Sequence, residues 1–306
     1  MKKTKVIKYQ EIEWYKIIKP EKKELNQLQK KFNFHPLDIE DCLEKVQRPK
    51  LDIYRSYLFF VLHLPQWDKE EKKVKTIEFK VFLGHKFLIT LSYQPIPLLD
   101  KLFYQAKQNY RKKKIFFKNS SFHLFYFILN QLFINILPII KQIGRIINKT
   151  DKQLLKGEYK KTLKQISNMR QNLILFQTII KPQIPIFRKL EKGKAKITQG
   201  KYPYYWGNLV DRLRSLWEDL DDYLQILEGL SKTNESLLSY RTNETMKILT
   251  IFSVILLPLS LIAGIYGMNI KTLPFLYSPF SFFIISAIMT GIAILMLVFF
   301  KAKNWL

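Results

Sequence analysis

Cysteine is almost missing from this 306-residue chain. Cys42 stands alone, so no disulfide framework exists and a reducing compartment suits the protein. The four histidines are scattered at 35, 63, 85 and 123, which excludes a Cys/His metal cluster. No Gly-rich loop ends in Gly-Lys-Ser or Gly-Lys-Thr, so no fuel site of that kind is present. Acidic residues are few: 25 Asp and Glu face 51 Lys and Arg, for a net charge of +26. The most informative absence is of charge altogether. Ile248 to Ile270 holds no Asp, Glu, Lys or Arg, nor does Thr272 to Phe300, and Lys271 is the single charge between them.

Each uncharged run exceeds the roughly 20 residues that a helix needs to cross about 30 Å of hydrocarbon. Two spans joined by so short a link are antiparallel neighbours, which puts both long ends of the chain on one side of the bilayer. Nearly all the basic residues precede the first span, and Lys301 and Lys303 follow the second. Basic flanks stay in the cytoplasm, so both termini are expected there. The basic start, Met1 to Lys5, has no apolar segment behind it and does not read as a secretory signal. Such a charge invites a nucleic-acid reading. However, Lys141 to Lys201 spreads its Lys and Arg at helical spacing without an aromatic stacking motif, so no nucleic acid is expected. In a protein fixed at an anionic inner leaflet, such charge could equally bind lipid head groups.

The order of segments implies an α+β organisation. Residues 1–97 form an α/β cytoplasmic domain, with strand-like Glu11 to Ile18, Tyr57 to Leu64, and a hairpin of Lys75 to Phe82 and Lys86 to Leu91 around Gly84-His85. Pro20 to Lys31 and Pro36 to Val46 read as short helices between them. Residues 98–202 form a helical region, with apolar periodicity over Leu98 to Asn148 and Lys152 to Ile180 predicting long helices. Phe122 to Ile140 is hydrophobic enough to mimic a span, but its polar residues and the resulting charge topology place it in a buried layer. Residues 203–247 are a stalk helix, 248–268 the first span, 269–279 an outer loop, 280–300 the second span and 301–306 a basic tail. Nothing stops the stalk before the membrane, so one helix of about 60 residues, close to 90 Å, is expected.

On that helix Asn243, Met246, Thr250, Ser253, Leu257, Ser260, Gly264 and Gly267 recur alternately every three and four positions. A stripe of small and hydroxyl residues either faces an axis of symmetry or simply allows close helix packing. Two spans cannot enclose a conduit, so a pore on this face requires a homo-oligomer. The stripe ends at Tyr266-Gly267-Met268-Asn269, preceded by Pro258 to Ile265. That segment resembles the signature of the CorA family of divalent-cation channels. Thr242-Asn243-Glu244 with Met246-Lys247, Phe34-His35-Pro36-Leu37 with Glu40-Asp41, Gln47-Arg48-Pro49-Lys50, and the tail from Lys301 to Leu306 also resemble that family.

The resemblance implies a funnel-shaped homopentamer with no catalytic residues and no bound cofactor, for which Mg²⁺ is both substrate and regulatory ligand. Gly267, Met268 and Asn269 would form the selectivity filter. Asn243, Met246, Leu249, Thr250, Ser253, Leu257, Ser260 and Gly264 would line or gate the pore. Closure in that family comes when internal Mg²⁺ bridges acidic residues of neighbouring subunits. Asp68 matches one partner, but the other falls on Asn208, with Asp211 one turn on, and an amide holds a dication less well than a carboxylate. The loop after Asn269 also lacks the acidic residues common in the family. Two other readings remain: a Zn²⁺ transporter of the related ZntB branch, and a two-span anchored sensor that conducts nothing.

Overall fold

Alternation along the strands decides the architecture. In β4 (Tyr57–Asp68), Leu58, Phe60, Leu62 and Leu64 enter one apolar core, while Tyr57, Phe59 and Val61 enter another on the opposite face. A strand buried on both sides needs a layer on each face of its sheet. The sheet has six strands in the order β1-β2-β6-β5-β4-β3, from β1 (Thr4–Tyr9), β2 (Ile12–Ile18), β3 (Lys50–Ile53), β4, β5 (Lys73–Gly84) and β6 (Phe87–Ser92). Pairing is antiparallel except between β2 and β6. The expected β5–β6 hairpin is present, whereas the flanking strands β1 and β3 were not expected. Both are short edge strands, partly exposed, and too polar to stand out as apolar runs.

The computed structural model describes residues 4–44, 47–68, 70–195, 197, 202–268, 273–275 and 279–305. It divides into two compact units, Met1–Ser231 and Lys232–Leu306. In the first, α1 (Lys22–Phe32) and α2 (Pro36–Leu43) cover one sheet face. Pro36 opens α2, and the His35 imidazole accepts the Leu37 N–H at 3.3 Å. Cys42 is fully buried there, and desolvation pushes its thiol far above the ordinary range.

The other face is covered by helices. The stretch from Leu98 to Asn148 does not form one long helix but four: α3 (Pro97–Gln108), α4 (Tyr110–Phe117), α5 (Ser121–Ile134) and the start of α6 (Leu137–Leu155). The breaks follow from local chemistry. The Asn109 side chain caps α4, Lys118 and Asn119 take left-handed conformations, and Pro138 sits in the first turn of α6. After α7 (Tyr159–Ile180), Pro182 and Pro185 do not end helicity: a 3-10 turn at Lys181–Gln183 leads into α8 (Ile184–Glu191), each proline lying in a first turn. α5 is the segment apolar enough to mimic a span. Its Leu124, Phe125, Ile128, Leu129 and Phe133 lie fully inside the core.

α9 is a single helix, Pro203–Gly267, 65 residues long, and Gly207 and Gly229 do not interrupt it. Its first turns present Trp206, Leu209, Leu213, Leu216 and Leu220 to the core. In the second unit α9 from Ile248 onward and α10 (Ser281–Ala302) are hydrophobic, long enough to cross a membrane and almost wholly uncovered over their most apolar windows: 6% and 0% buried, against 50% for the stretch from Ser121 to Leu155.

Candidate cation pathway and regulatory site

Within the second unit, burial shows which helix faces meet. From Glu244 onward on α9 the covered or partly covered positions are Glu244, Lys247, Ile251, Ile255, Pro258, Leu259, Ile262 and Tyr266. On α10 they include Ile285, Met289, Ile292, Met296 and Phe300. Of these positions, Ile251 and Phe300 are the two most deeply covered. The Lys247 ammonium donates to the Asn304 carbonyl at 3.3 Å, and Trp305 stacks on Phe300 with ring centroids 5.8 Å apart. α10 therefore runs antiparallel to α9 and seats on this one stripe.

The stripe of small and hydroxyl residues lies on the far side of the helix, on average roughly 160° around from the covered one at about 100° per residue. Asn243, Met246, Thr250, Ser253, Leu257, Ser260, Gly264 and Gly267 are all exposed, as are Leu249 and Met268. Leu257, the most open of the bulky ones, is 69% exposed. The hydroxyls have a defined polarity. Thr250 donates to the Met246 carbonyl at 2.8 Å and Ser253 to the Leu249 carbonyl at 2.9 Å. With their protons spent on the helix backbone, both present oxygen lone pairs outward, the hard acceptors that a hydrated dication prefers. A Cβ added at Gly264 or Gly267 would meet nothing within 4 Å, so nothing inside one copy requires glycine there. α9 closes at Gly267, and the Met268 N–H donates to the Ile265 carbonyl at 3.2 Å. Asn269 lies outside the described residues.

The candidate regulatory residues lie in the first unit. Asp68 ends β4 and already has a cation: Lys75 on β5 approaches its carboxylate at 2.7 Å, while the Glu70 and Glu71 N–H groups donate at 2.9 and 3.1 Å. The lysine, together with those amides, holds its carboxyl below the usual range. Asn208 on α9 is exposed and accepts the Tyr126 hydroxyl at 3.2 Å, and Asp211 is exposed one turn on. Sequence reasoning missed Lys75, because its partner is set by the β4–β5 register. It also missed the group formed by Asp38, Asp41 and Asp52. That group is bridged by Lys50, 2.5 Å from Asp41 and 2.7 Å from Asp52, while Tyr54 and Tyr57 donate to Asp38. The lysine takes the place a metal ion would need. Glu218, Asp219, Asp221 and Asp222 lie on partly or fully exposed turns of α9, where Asp221 accepts from Gln177 and Gln225.

The sequence pattern of the family described as CorA-like Mg²⁺ transporter protein matches residues 9–302. The chain belongs to that family. Its members are ion transporters, not enzymes. YfjQ of Bacillus subtilis, named as a metal ion transporter, is 31% identical over 95% of this chain and 89% of its own length. The cobalt/magnesium transport protein CorA of Thermotoga maritima is 27% identical over 90% of this chain and 78% of its own. The complete structure of the CorA magnesium transporter from Methanocaldococcus jannaschii superposes with a TM-score of 0.85 at 21% identity, covering 98% of this chain and 94% of that one. A CorA fold thus accounts for the mixed sheet, the long α9 and the two apolar C-terminal helices.

Proposed function

We propose that this chain is one subunit of a homopentameric channel in a bacterial or archaeal plasma membrane, with both termini in the cytoplasm. It passes Mg²⁺, and Co²⁺ or Ni²⁺ with it, passively down the membrane potential, and closes when internal Mg²⁺ is high. The observation that carries this reading is the uncovered stripe on α9, which runs from Asn243 to Gly267 while the covered positions lie on the other side of the helix. Five such stripes around an axis make a conduit lined by hydroxyl oxygens and glycine backbone. At its outer end a ring of Asn269 amide oxygens, with Gly267 carbonyls, holds a hydrated Mg²⁺ through its waters, which that ion gives up reluctantly. Amides bind it less tightly than carboxylates would, so the ion can leave. Rings of Met246, Leu249 and Leu257 interrupt the polar path and shut it by dewetting.

A dication gains about 4.6 kcal/mol per 100 mV, at roughly 2.3 per charge, so no other energy source is needed. The same gradient makes closure necessary. Asp68, with Asn208 and Asp211 of a neighbouring subunit, is the proposed site where internal Mg²⁺ stabilises the closed state.

Purified protein in liposomes tests the reading. The expected result is Mg²⁺ influx driven by an inside-negative potential, unaffected by a pH gradient, and abolished by Asn269→Ala without loss of the oligomer. Zn²⁺ flux that needs a pH gradient would instead place the protein with the ZntB branch. No flux of any dication from a correctly assembled sample would leave a membrane-anchored sensor.

A further inference from the structure

An open cleft of about 730 Å³ lies in the first unit between the tip of the β4–β5 hairpin and the facing sides of α6 and α7. One buried amide builds its floor. Asn172, only 4% exposed, accepts the Val74 N–H at 2.8 Å and donates to the Lys72 carbonyl at 3.1 Å. It thereby clamps both sides of a turn in which Lys72 takes the left-handed conformation, φ 52°. Lys72 and Lys73 line the cleft from the hairpin and Lys149 lines it from α6. Among the described residues, none of the three has a carboxylate within ion-pair reach. The one acid on the wall, Glu71, pairs with Lys75 at 3.1 Å. Trp67 supplies an aromatic ring at one side, and the Gln165 and Asn168 amides supply donors and acceptors at the other.

We propose that this cleft binds a nucleotide-sized polyphosphate anion, independently of how the membrane unit conducts. Three unpaired ammonium groups match a chain of phosphates through charge-assisted hydrogen bonds. The Trp67 ring suits a base, and the amides suit its edges. The lining offers no free carboxylate to hold a metal, so the anion is recognised without one. Lysines and Mg²⁺ then compete for the same oxygens, and occupancy rises as free Mg²⁺ falls.

The test is calorimetry on the full-length protein in detergent at physiological ionic strength, titrating ATP, inorganic tripolyphosphate and adenosine separately in the presence of a chelator. ATP is expected to bind one per chain, tripolyphosphate more weakly and adenosine not at all. Added Mg²⁺ should weaken ATP. Lys73→Ala with Lys149→Ala should cost at least about tenfold in affinity, whereas Lys101→Ala with Lys107→Ala, on the exposed face of α3, should cost nothing. Absence of binding by ATP, or equal losses from both lysine pairs, overturns the proposal, the second by showing attraction to the net charge alone. Tripolyphosphate binding as tightly as ATP overturns the nucleotide assignment.

Discussion

At the scale of single residues, the ion pair between Asp68 and Lys75 sets the expected sensitivity of closure. A carboxylate already neutralised by an ammonium at 2.7 Å must exchange it for Mg²⁺. Lys75→Gln should therefore lower the Mg²⁺ concentration at which the stalk becomes protected from protease. Asn208→Asp should lower it too, by adding a hard oxygen ligand. An unmoved midpoint in both, or in Asp68→Ala, removes this pair as the sensor. Asp68 could be singled out in the sequence only by its match to the family. Its partner could not: a β5 lysine becomes a neighbour only once the hairpin register is known. Glu13 gives a separate prediction. Lys8 at 2.5 Å, then Tyr15 and then Lys31, hold its carboxyl down at about 2 against an ordinary 4.5. Its contribution to stability is full above pH 4.5 and is lost as pH falls toward 2. Glu13→Gln should cost about 1 kcal/mol near neutral pH, the scale of a screened pair, and flatten the fall of Tm across that acid range.

At the scale of elements, legibility followed the strength of the local pattern. α9 and α10 were readable because long uncharged runs have few alternatives to a helix in lipid. The breaks between α3, α4, α5 and α6 were not, since each depends on one cap, one left-handed residue or one proline inside a continuous apolar periodicity. β3 is only four residues long and pairs solely with β4. The stripe on α9 was visible as spacing, but that α10 leaves it free required the burial of Ile251 and its neighbours. Gly264→Leu makes the sharpest test, because a Cβ added there meets nothing within 4 Å in one copy. Membrane insertion should be unchanged, while Mg²⁺ flux should be lost along with the oligomer or the conduit. Wild-type flux would mean that the stripe faces lipid. Met246→Asp or Leu249→Asp should do the reverse and leave the pore leaking at high internal Mg²⁺, since a ring of carboxylates stays wet. A conductance equal to wild type in both would remove those rings from the gate.

At the scale of the whole molecule, the number of copies follows from no property of one chain, because any interface of the proposed ring would be formed by surfaces that one copy leaves bare. Cys42 offers a way to count them. Its sulfur is the only one of its kind in the sequence and is fully enclosed on the inner face of α2, with the thiol held protonated. Thiol-reactive dyes will therefore pass the native protein by, and one cysteine placed on an exposed position such as Leu155 becomes the sole point of attachment. Each subunit then carries one fluorophore without any prior stripping of cysteines. In single assemblies embedded in nanodiscs, five equal bleaching steps would count the ring directly, and two would describe a dimer too small to surround an ion.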